Sequence, residues 1–334
     1  MFQVAFAGLT HDHVWGEVPA WLDQPGVDII AACDPNVALT DRFTEETGVT
    51  TTFASVDDML NDIEPTILHI NTSNFESAQI AERALTSGIH VVLEKPLAAN
   101  FEQAEGLLET WRHSPAKLMI NWKDWWSPSY QLAAQMVEKG AIGKVQRVQC
   151  RMGHAGPRRI GCSPYFVDWL LDPVKNGGGV MVDYGCYGIL AALHYLGFPE
   201  EISATGVTVR PDQHGKLDDN AVITMNYSHG QALAIASWTQ SPPERQLELQ
   251  GDLGTIWVTD RNLEVQTAES ERLSMTPTDQ DIEFHHAAEY MVHCLQNDSD
   301  IKGAFSPEFG FNTQFLLDAA LKSFANGQSV TLNN

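Results

Sequence analysis

The sequence predicts an α/β fold in which a doubly wound N-terminal domain is followed by an α+β domain with an open, mostly antiparallel sheet. Over roughly the first 120 residues, short apolar segments alternate with amphipathic helical segments, as in right-handed βαβ units that build a parallel sheet. From Lys144 onward, the segments are longer and their apolar and polar residues alternate. We therefore predict two domains, at 1–121 and 122–334.

The elements of the first domain are apolar runs and helical patterns separated by turn-forming residues. Gly48 and Gly88 follow two of the helical patterns, where a left-handed residue commonly ends a helix. The predicted elements are strand Phe2–Ala7, helix Val18–Leu22, strand Val27–Cys33, helix Val37–Thr47, helix Asp57–Asp62, strand Thr66–Ile70, helix Ser77–Ser87, strand His90–Leu93, helix Phe101–Arg112 and strand Lys117–Asn121.

The second domain combines long alternating strands with three helical patterns. Period-two alternation predicts strands that are buried on one face, which is typical of an antiparallel sheet. The predicted strands are Val145–Met152, Glu201–Val209, Asn220–Tyr227, Gln231–Trp238, Gln246–Gly251 and Gly254–Thr259. The predicted helices are Val180–Leu196, Glu283–Gln296 and Gly310–Ala325.

The composition is that of an ordinary globular protein with an acidic surface. Hydrophobic residues make up 43% of the chain, charged residues 19%, and the formal net charge is −23. This acidity disfavours binding to nucleic acid phosphates or anionic lipid. The first residues have no signal-peptide pattern or long apolar run, and the five cysteines have no metal-like spacing. We expect a cytoplasmic protein without a membrane segment, a metal site or a nucleic acid partner.

The turn after the first strand stands where a phosphate-binding loop would. It reads GLTHDH at 8–13, so only the first glycine of a GxGxxG pattern is present. A strand-to-helix turn still directs backbone N–H groups and a helix N-terminus toward a pyrophosphate. We assign Gly8, Leu9, Thr10, His11 and His13 to cofactor binding; the alternative for the two imidazoles is a solvated or turn-packing role.

An acidic residue follows the second strand at the spacing of a ribose contact. Asp34 lies 21 residues after His13, close to the roughly 20 residues expected for a carboxylate that binds the adenosine ribose hydroxyls. This residue favours NAD over NADP as the cofactor. The alternative is that Asp34 only forms the Asp-Pro turn.

The triplet Glu94-Lys95-Pro96 follows the strand His90–Leu93. It lies at the carboxyl edge of the predicted sheet, where doubly wound folds bind their ligands. An ammonium group held near a carbonyl can stabilise alkoxide charge that develops during hydride transfer. We therefore assign Lys95 to catalysis and both Glu94 and Lys95 to cofactor binding.

Several motifs together resemble the glucose-fructose oxidoreductase, inositol dehydrogenase and rhizopine-catabolism family (Gfo/Idh/MocA). They are the incomplete glycine turn, Asp34-Pro35, the Glu94-Lys95-Pro96 triplet, EKGAIGKV, GGGVMVDYGCYG at 177–188 and the tail AALKSFANGQSVTL. The resemblance covers nearly the whole chain. It implies a Rossmann domain that binds NAD and a C-terminal open sheet through which the chain forms a homodimer or homotetramer.

The resemblance also implies a set of catalytic residues. The family signature commonly ends in histidine, and this chain has Asp183-Tyr184-Gly185-Cys186-Tyr187, which is similar to a subgroup with tyrosine. Asp183 and Tyr187 are one helical turn apart and would share a face of the predicted helix. We expect Tyr187 to exchange the hydroxyl proton, Lys95 to lower the pKa of Tyr187, and Asp183 to orient the substrate. The alternative for Tyr187 is a packed helix aromatic.

The remaining site residues are assigned with less specific motifs. Thr72 and Ser73 follow the strand Thr66–Ile70 and are assigned to cofactor binding, although their segment NTSNFES lacks the proline and histidine common in the family. For the substrate-binding residues that are not also catalytic, the alternative is a purely structural role. The residues assigned to substrate binding are Lys95, His154, Arg158, Trp169, Asp172 and Asp183.

The sequence thus predicts an NAD-dependent oxidoreductase that acts on a secondary alcohol or hemiacetal carbon of a sugar, polyol or related small molecule. NADP is the less favoured cofactor. Two alternatives stay open: glycoside hydrolysis initiated by transient oxidation with NAD, and a non-catalytic sensor of cofactor or ligand.

Overall fold

The computed structural model describes residues 1–332 and divides into two compact units. The first unit consists of residues 1–121, 162–177 and 286–311. The second consists of residues 122–161, residues 178–285 and the described residues from 312 onward. No helix within residues 1–332 combines the length and the apolar character needed to cross a membrane.

The strands and helices are numbered along the chain. The strands are β1 (Phe2–Ala7), β2 (Val27–Cys33), β3 (Thr52–Phe53), β4 (Ile67–Ile70), β5 (His90–Glu94), β6 (Leu118–Asn121), β7 (Val145–Gly153), β8 (Glu201–Val207), β9 (Asn220–Tyr227), β10 (Gly230–Ser237), β11 (Glu244–Gly251), β12 (Gly254–Thr259), β13 (Leu263–Thr267), β14 (Leu273–Met275) and β15 (Val330–Thr331). The helices are α1 (Val14–Leu22), α2 (Val37–Thr47), α3 (Val56–Asp62), α4 (Asn74–Thr86), α5 (Phe101–His113), α6 (Pro128–Glu138), α7 (Pro164–Leu170), α8 (Pro173–Asn176), α9 (Val180–Asp183), α10 (Gly185–Leu196), α11 (Pro211–His214), α12 (Ala287–Gln296) and α13 (Pro307–Asn326). Short 3-10 helices lie at Lys123–Trp126, Asp279–Asp281 and Gly303–Phe305.

The first unit is built on a parallel sheet with strand order β3-β2-β1-β4-β5-β6. The central strands are apolar along their whole length because both faces of the sheet are covered; Val4–Ala7 of β1, for example, are fully buried. The order reverses between β1 and β4, and in such folds the crevice at this reversal holds the ligand. The predicted doubly wound fold is confirmed.

The second unit is built on one sheet with strand order β14-β13-β12-β11-β7-β10-β9-β8-β15. Its neighbouring strands are antiparallel except β7 and β10, which run parallel. Helix α10 packs closely on this sheet, because a Cβ atom on Gly188 would collide with Ala234 of β10. The predicted open and mostly antiparallel sheet is confirmed.

The predicted helix Val180–Leu196 is divided in two. Tyr184 has φ −111° and ψ −27°, which separates α9 from α10. Strong tertiary contacts fix α9 in this position: the Asp218 carboxylate accepts hydrogen bonds from the backbone N–H groups of Gly179 at 3.2 Å and Met181 at 2.8 Å. The expectation that Asp183 and Tyr187 share one continuous helical face was therefore wrong.

Several short elements escaped prediction. Strands β3, β13 and β14 and helices α7 and α8 have between two and seven residues, too few to give a clear periodicity. Two of them change the organisation of the chain, because α7 and α8 lie in the segment 162–177 that packs with the first unit. The functional division at 1–121 and 122–334 stays a prediction.

Candidate active site

A cavity of about 470 Å³ lies at the carboxyl edge of the parallel sheet in the first unit. Such a volume is typical of small-molecule and cofactor sites. Its walls come from the turn after β1, the end of β2, the start of α3, the turn after β4 and the segment of α7 and α8. Four of the predicted cofactor residues line it: Gly8, Thr10, Asp34 and Thr72.

Gly8 is the one position in the turn after β1 where the backbone demands glycine. Its φ is +77°, and a Cβ atom there would lie 2.6 Å from Cβ of Thr72. Its N–H donates to the Cys33 carbonyl at 2.8 Å, which ties the turn to β2. The turn therefore keeps the close approach of β1 and β4 although the later glycines of the pattern are absent.

Asp34 is buried and already holds the turn together. Its Oδ2 accepts the Leu9 N–H at 2.7 Å, and its Oδ1 accepts the backbone and side-chain N–H groups of Asn36, both at 2.8 Å. A carboxylate oxygen has two lone pairs, so Oδ1 is fully engaged by Asn36 and Oδ2 keeps one acceptor site. The residue thus forms the predicted turn and retains acceptor capacity on the cavity side.

His13 and Glu94 form a hydrogen-bonded pair beside this turn. His13 Nδ1 lies 3.0 Å from Glu94 Oε2, and Glu94 Oε1 accepts from Asn121 Nδ2 at 2.7 Å. Burial on its own raises the pKa of Glu94, but the charges of His13, His11 and His69 outweigh this and hold that pKa far below its usual range. Glu94 is therefore an anion that holds His13, the N-cap of α1.

The ligand atoms of His11, His13 and Glu94 lie within 4.8 Å of one another, a grouping that could hold a cation. Two observations speak against a cation here. His11 Nδ1 already accepts the His13 N–H at 3.3 Å, and the group lies at the N-terminus of α1, where the helix dipole disfavours positive charge. The absence of a resident metal stays a prediction.

Thr72 and Ser73 have different surroundings. The Thr72 hydroxyl lines the cavity, lies 3.3 Å from the Thr10 hydroxyl and donates to Glu76 at 3.0 Å. Ser73 is the N-cap of α4: its hydroxyl accepts the Glu76 N–H at 3.3 Å and donates to Glu76 Oε2 at 2.8 Å. The geometry therefore gives Ser73 a helix-capping role, and Thr72 is the residue of the pair that faces the cavity.

Two residues assigned to the substrate, Trp169 and Asp172, line the cavity of the first unit. The Trp169 ring packs against His11, with ring centroids 5.4 Å apart. Asp172 caps α8 by accepting the N–H groups of Val174 at 2.8 Å and Lys175 at 3.2 Å. The structure thus associates both residues with the predicted cofactor contacts.

Lys95 follows β5 directly and is 4% exposed. The Lys95–Pro96 peptide bond is cis. The preceding residue is Glu94, so the lysine lies at the same carboxyl edge of the sheet as the His13–Glu94 pair.

In the second unit, Asp183 and Tyr187 lie at the junction of α9 and α10. Asp183 is 7% exposed, and its Oδ2 accepts the indole N–H of Trp238 at 3.0 Å. Tyr187 is 5% exposed and packs edge-on against Trp122, with ring centroids 5.4 Å apart. Their phenol and carboxylate are thus held by aromatic neighbours from other parts of the unit.

His154 belongs to the surroundings of this junction, and Arg158 is exposed. His154 packs edge-on against Tyr184 at 5.2 Å, and its Nδ1 accepts the Gly156 N–H at 2.9 Å. Burial is the main cause that lowers the pKa of His154, so its imidazole is neutral near pH 7. A neutral imidazole can donate and accept hydrogen bonds without adding charge.

Arg245 is a cation that sequence reasoning missed. Its Nη1 donates to Asp124 Oδ1 at 2.7 Å. Burial opposes its charge, but Asp124, Tyr184 and Tyr187 raise its pKa above the ordinary arginine value. Neither Trp238 nor Arg245 carries a local motif, because Trp238 directly follows β10 and Arg245 lies on β11, and the patterns of these strands show only alternation.

Comparisons with known proteins agree with this architecture. A model of the oxidoreductase family with an NAD-binding Rossmann fold matches residues 3–122, and a model of the GFO/IDH/MocA C-terminal domain matches residues 130–257. A levoglucosan dehydrogenase structure, in complex with NADH and levoglucosan, superposes with a TM-score of 0.85 at 18% identity and full coverage of both chains.

Two curated relatives are similar over part of their length. The dTDP-3,4-didehydro-2,6-dideoxy-alpha-D-glucose 3-reductase of Actinomadura kijaniata is 27% identical over 194 residues, which are 58% of this chain and 53% of that protein. The D-xylose 1-dehydrogenase (NADP(+)) 2 of Haloferax volcanii is 26% identical over 212 residues, 64% of this chain and 62% of that protein. On the two family models, the chain belongs to the Gfo/Idh/MocA family of oxidoreductases and carries its NAD-binding Rossmann fold.

Proposed function

We propose that the protein transfers hydride between NAD and a secondary alcohol or hemiacetal carbon of a sugar, polyol or related small molecule. The observation that carries the proposal is the cavity at the β1–β4 reversal, where Gly8, Asp34 and Thr72 meet. The relatives named as a sugar reductase and a xylose dehydrogenase support the substrate class.

The donor set of the cavity fits NAD. Backbone N–H groups of the turn after β1 and the N-terminus of α1 would hold the pyrophosphate, and Asp34 would accept the adenosine ribose hydroxyls. When bound, the nicotinamide ring accepts or supplies the hydride. The protein's own residues provide the binding, the orientation and the proton.

Three residues carry the proton and the substrate oxygen in this proposal. Tyr187 exchanges the proton of the substrate hydroxyl at its phenol oxygen. Lys95 stabilises the substrate oxygen, since an ammonium hydrogen bond strengthens as negative charge develops there. Asp183, whose carboxylate is oriented by the Trp238 indole, accepts hydrogen bonds from neighbouring substrate hydroxyls.

Calorimetric titration of the purified protein with NADH and NADPH tests the proposal, after absorbance has shown whether nucleotide co-purifies. We expect NADH to bind more tightly than NADPH and Asp34→Ala to weaken NADH binding. A turnover screen of aldoses, glucosides and polyols then uses Tyr187→Phe and Lys95→Met, which should each lower kcat strongly. If neither nucleotide binds and none is already present, the cofactor role is wrong and a sensor is the better description.

The hydrolytic alternative differs in its consumption of cofactor. A redox-initiated hydrolase regenerates NAD in each cycle, whereas a dehydrogenase accumulates one NADH per substrate oxidised. Absorbance at the NADH band during turnover therefore separates the two. The relatives named as a dehydrogenase and a reductase favour net hydride transfer.

We further propose a cytoplasmic homodimer or homotetramer that associates through the sheet of the second unit. Helix α10 packs on one face of this sheet, and apolar side chains on the other include Val222, Leu233 and Ile235, with Val222 37% exposed. Apolar residues on an uncovered sheet face are typical of a subunit interface. All five cysteines are free thiols, as expected in a reducing compartment. Sedimentation at micromolar concentration tests the association, and a monomer would contradict it.

A further inference from the structure

Helix α7 brings residues from the middle of the chain to the nucleotide cavity of the first unit. Tyr165, Asp168 and Trp169 line the cavity, although they follow Asp34 by more than a hundred positions. The attachment is specific: the Ser163 N–H donates to Asp12 Oδ2 at 2.7 Å, which ties the start of α7 to the turn after β1.

One side of α7 packs against His11, and Tyr165 and Asp168 lie on a different face. Phe166 and Trp169 are buried, and their rings pack against His11 at centroid distances of 4.9 Å and 5.4 Å. Tyr165 and Asp168 are also three positions apart and therefore lie on a common face of the helix. Tyr165 is half-buried and Asp168 is exposed, and both line the cavity.

Asp168 differs from the other carboxylates of the cavity. Asp34 is engaged by Leu9 and Asn36, Asp172 caps α8, and Glu76 accepts two hydroxyl groups. Glu76 also pairs with Lys175 at 3.7 Å. Within residues 1–332, Asp168 has no hydrogen bond or ion pair. Its charge therefore lies at the cavity with no ion pair among residues 1–332, and Lys175, which also lines the cavity, pairs with Glu76.

Tyr165 also lacks polar partners among the described residues. Its hydroxyl has no hydrogen-bond partner and its ring no aromatic partner in the described part of the chain. An aromatic ring on a nucleotide cavity can stack on a base, and this stacking tolerates any base because every base has a flat π-face. Adenine is the flat group that NAD would present on the Asp34 side of the cavity.

We infer that α7 is a second cofactor-specificity element, in which Tyr165 stacks on the adenine and Asp168 acts with Asp34 to reject a 2′-phosphate. The inference rests on the proposed binding of NAD. Removing the Asp34 charge alone therefore leaves Asp168 as a second anion that repels the 2′-phosphate of NADP. At separations of about 6 Å in water, one carboxylate opposing a doubly charged phosphate changes binding by up to about tenfold, less as salt rises.

The experiment is calorimetric titration of Asp168→Asn with NADH and NADPH at low ionic strength. We expect NADPH to bind about three- to tenfold more tightly than to the unaltered protein, with NADH binding changed less than about twofold. The gain in NADPH affinity should add to the gain produced by Asp34→Asn, and it should become smaller at high salt. Asp62→Asn is the matched control, because it removes the same charge from an exposed position that does not line the cavity.

Tyr165 is tested with NADH and with ADP-ribose, which contains adenosine but no nicotinamide. Tyr165→Ala should weaken both ligands by about fivefold or more, and Tyr165→Phe by less than about twofold, because the ring is kept. Circular dichroism melts establish that each variant is folded. Equal effects of Tyr165→Ala and Tyr165→Phe overturn the stacking role.

The outcomes separate this inference from the proposed function. If the unaltered protein binds NADH and Asp168→Asn improves NADPH binding no more than Asp62→Asn does, the inference is wrong and the proposed function stands. If the unaltered protein binds neither NADH nor NADPH and holds no co-purified nucleotide, both are wrong.

Discussion

The indole Nε1 of Trp238 donates a hydrogen bond to Asp183 Oδ2 at 3.0 Å, between two side chains that are 0% and 7% exposed. The two residues are 55 positions apart, one following β10 and the other ending α9. A buried carboxylate needs such a donor, because its desolvation is otherwise uncompensated. The bond fixes the orientation of the Asp183 carboxylate.

Trp238→Phe should lower the free energy of unfolding by about 2 kcal/mol or more, since a hydrogen bond to a charged group is lost in a buried site. Urea unfolding measures the change. Trp257→Phe is the control: it also removes an indole–carboxylate bond, to Glu248 at 3.1 Å, but in a half-exposed position, and should cost under about 1 kcal/mol. In a cycle with Asp183→Asn, strictly additive effects would show that the two side chains do not interact.

Gly8→Ala should damage both stability and cofactor binding. Its left-handed φ of +77° costs an alanine about 1–2 kcal/mol, and the new Cβ would also lie 2.6 Å from Thr72. Gly26→Ala has a matching φ of +80° with no atom within 4 Å, so it isolates the backbone cost. We expect Gly8→Ala to be the more destabilising by about 1–3 kcal/mol and to weaken NADH binding, which Gly26→Ala should leave unchanged. Equal losses of stability would contradict the proposed close approach.

The Glu94 carboxylate should contribute stability at neutral pH and lose this contribution in acid. Its pKa in the folded state lies below the unfolded value of about 4.3, so the contribution is complete above that value and falls as the pH drops toward the folded value. The stability difference between the unaltered protein and Glu94→Gln should therefore narrow by about 1 kcal/mol per pH unit below about pH 4.3. Urea unfolding between pH 6 and about 3.5 measures it, with Glu109→Gln at an exposed site as a control that should show no such trend. A constant difference would refute the stabilisation of the Glu94 carboxylate in the folded protein.

His69 should make the protein sensitive to mild acid. Burial lowers the pKa of His69 to about 4, against a smaller opposing effect of Glu94. Because the folded protein resists protonation, stability is complete above the unfolded pKa of about 6.5 and is lost between there and about pH 4, by about 3 kcal/mol in total. His69→Gln keeps an acceptor for the Trp21 N–H and should flatten this dependence. His113→Gln changes an exposed site and should leave the pH dependence of stability unchanged. If His69→Gln also shows the pH dependence of the unaltered protein, His69 is not the group responsible.

Much of the fold was predictable because its signals are local. The apolar runs at Phe2–Ala7 and Val27–Cys33 and the helical pattern at Val37–Thr47 have the bounds that the structure gives them. Their boundaries follow from turn residues and caps within a few positions. The motif of Glu94, Lys95 and Pro96 could likewise be placed at the carboxyl edge of the sheet, since its strand was recognisable.

The candidate site was only partly predictable. The spacing of Asp34 from the turn indicated a shared site with Gly8, and both residues do line one cavity. The role of α7 could not be read from its seven residues, and Trp169 and Asp172 were assigned to the substrate because they precede the glycine run in the sequence. Their place at the cavity depends on tertiary packing, which leaves no local pattern.

The sequence by itself determined the two sheets, the family and the position of the glycine turn after β1, because periodicity and short motifs act over a few residues. The tertiary structure decided which distant segments complete each unit: that α7 packs on the turn after β1, that Trp238 reaches Asp183, and that the chain breaks its helix at Tyr184. The physical reason is that these contacts depend on burial and hydrogen bonding between side chains far apart in the chain. The packing of the whole unit determines which side chains come into contact, and the neighbouring residues in the sequence do not.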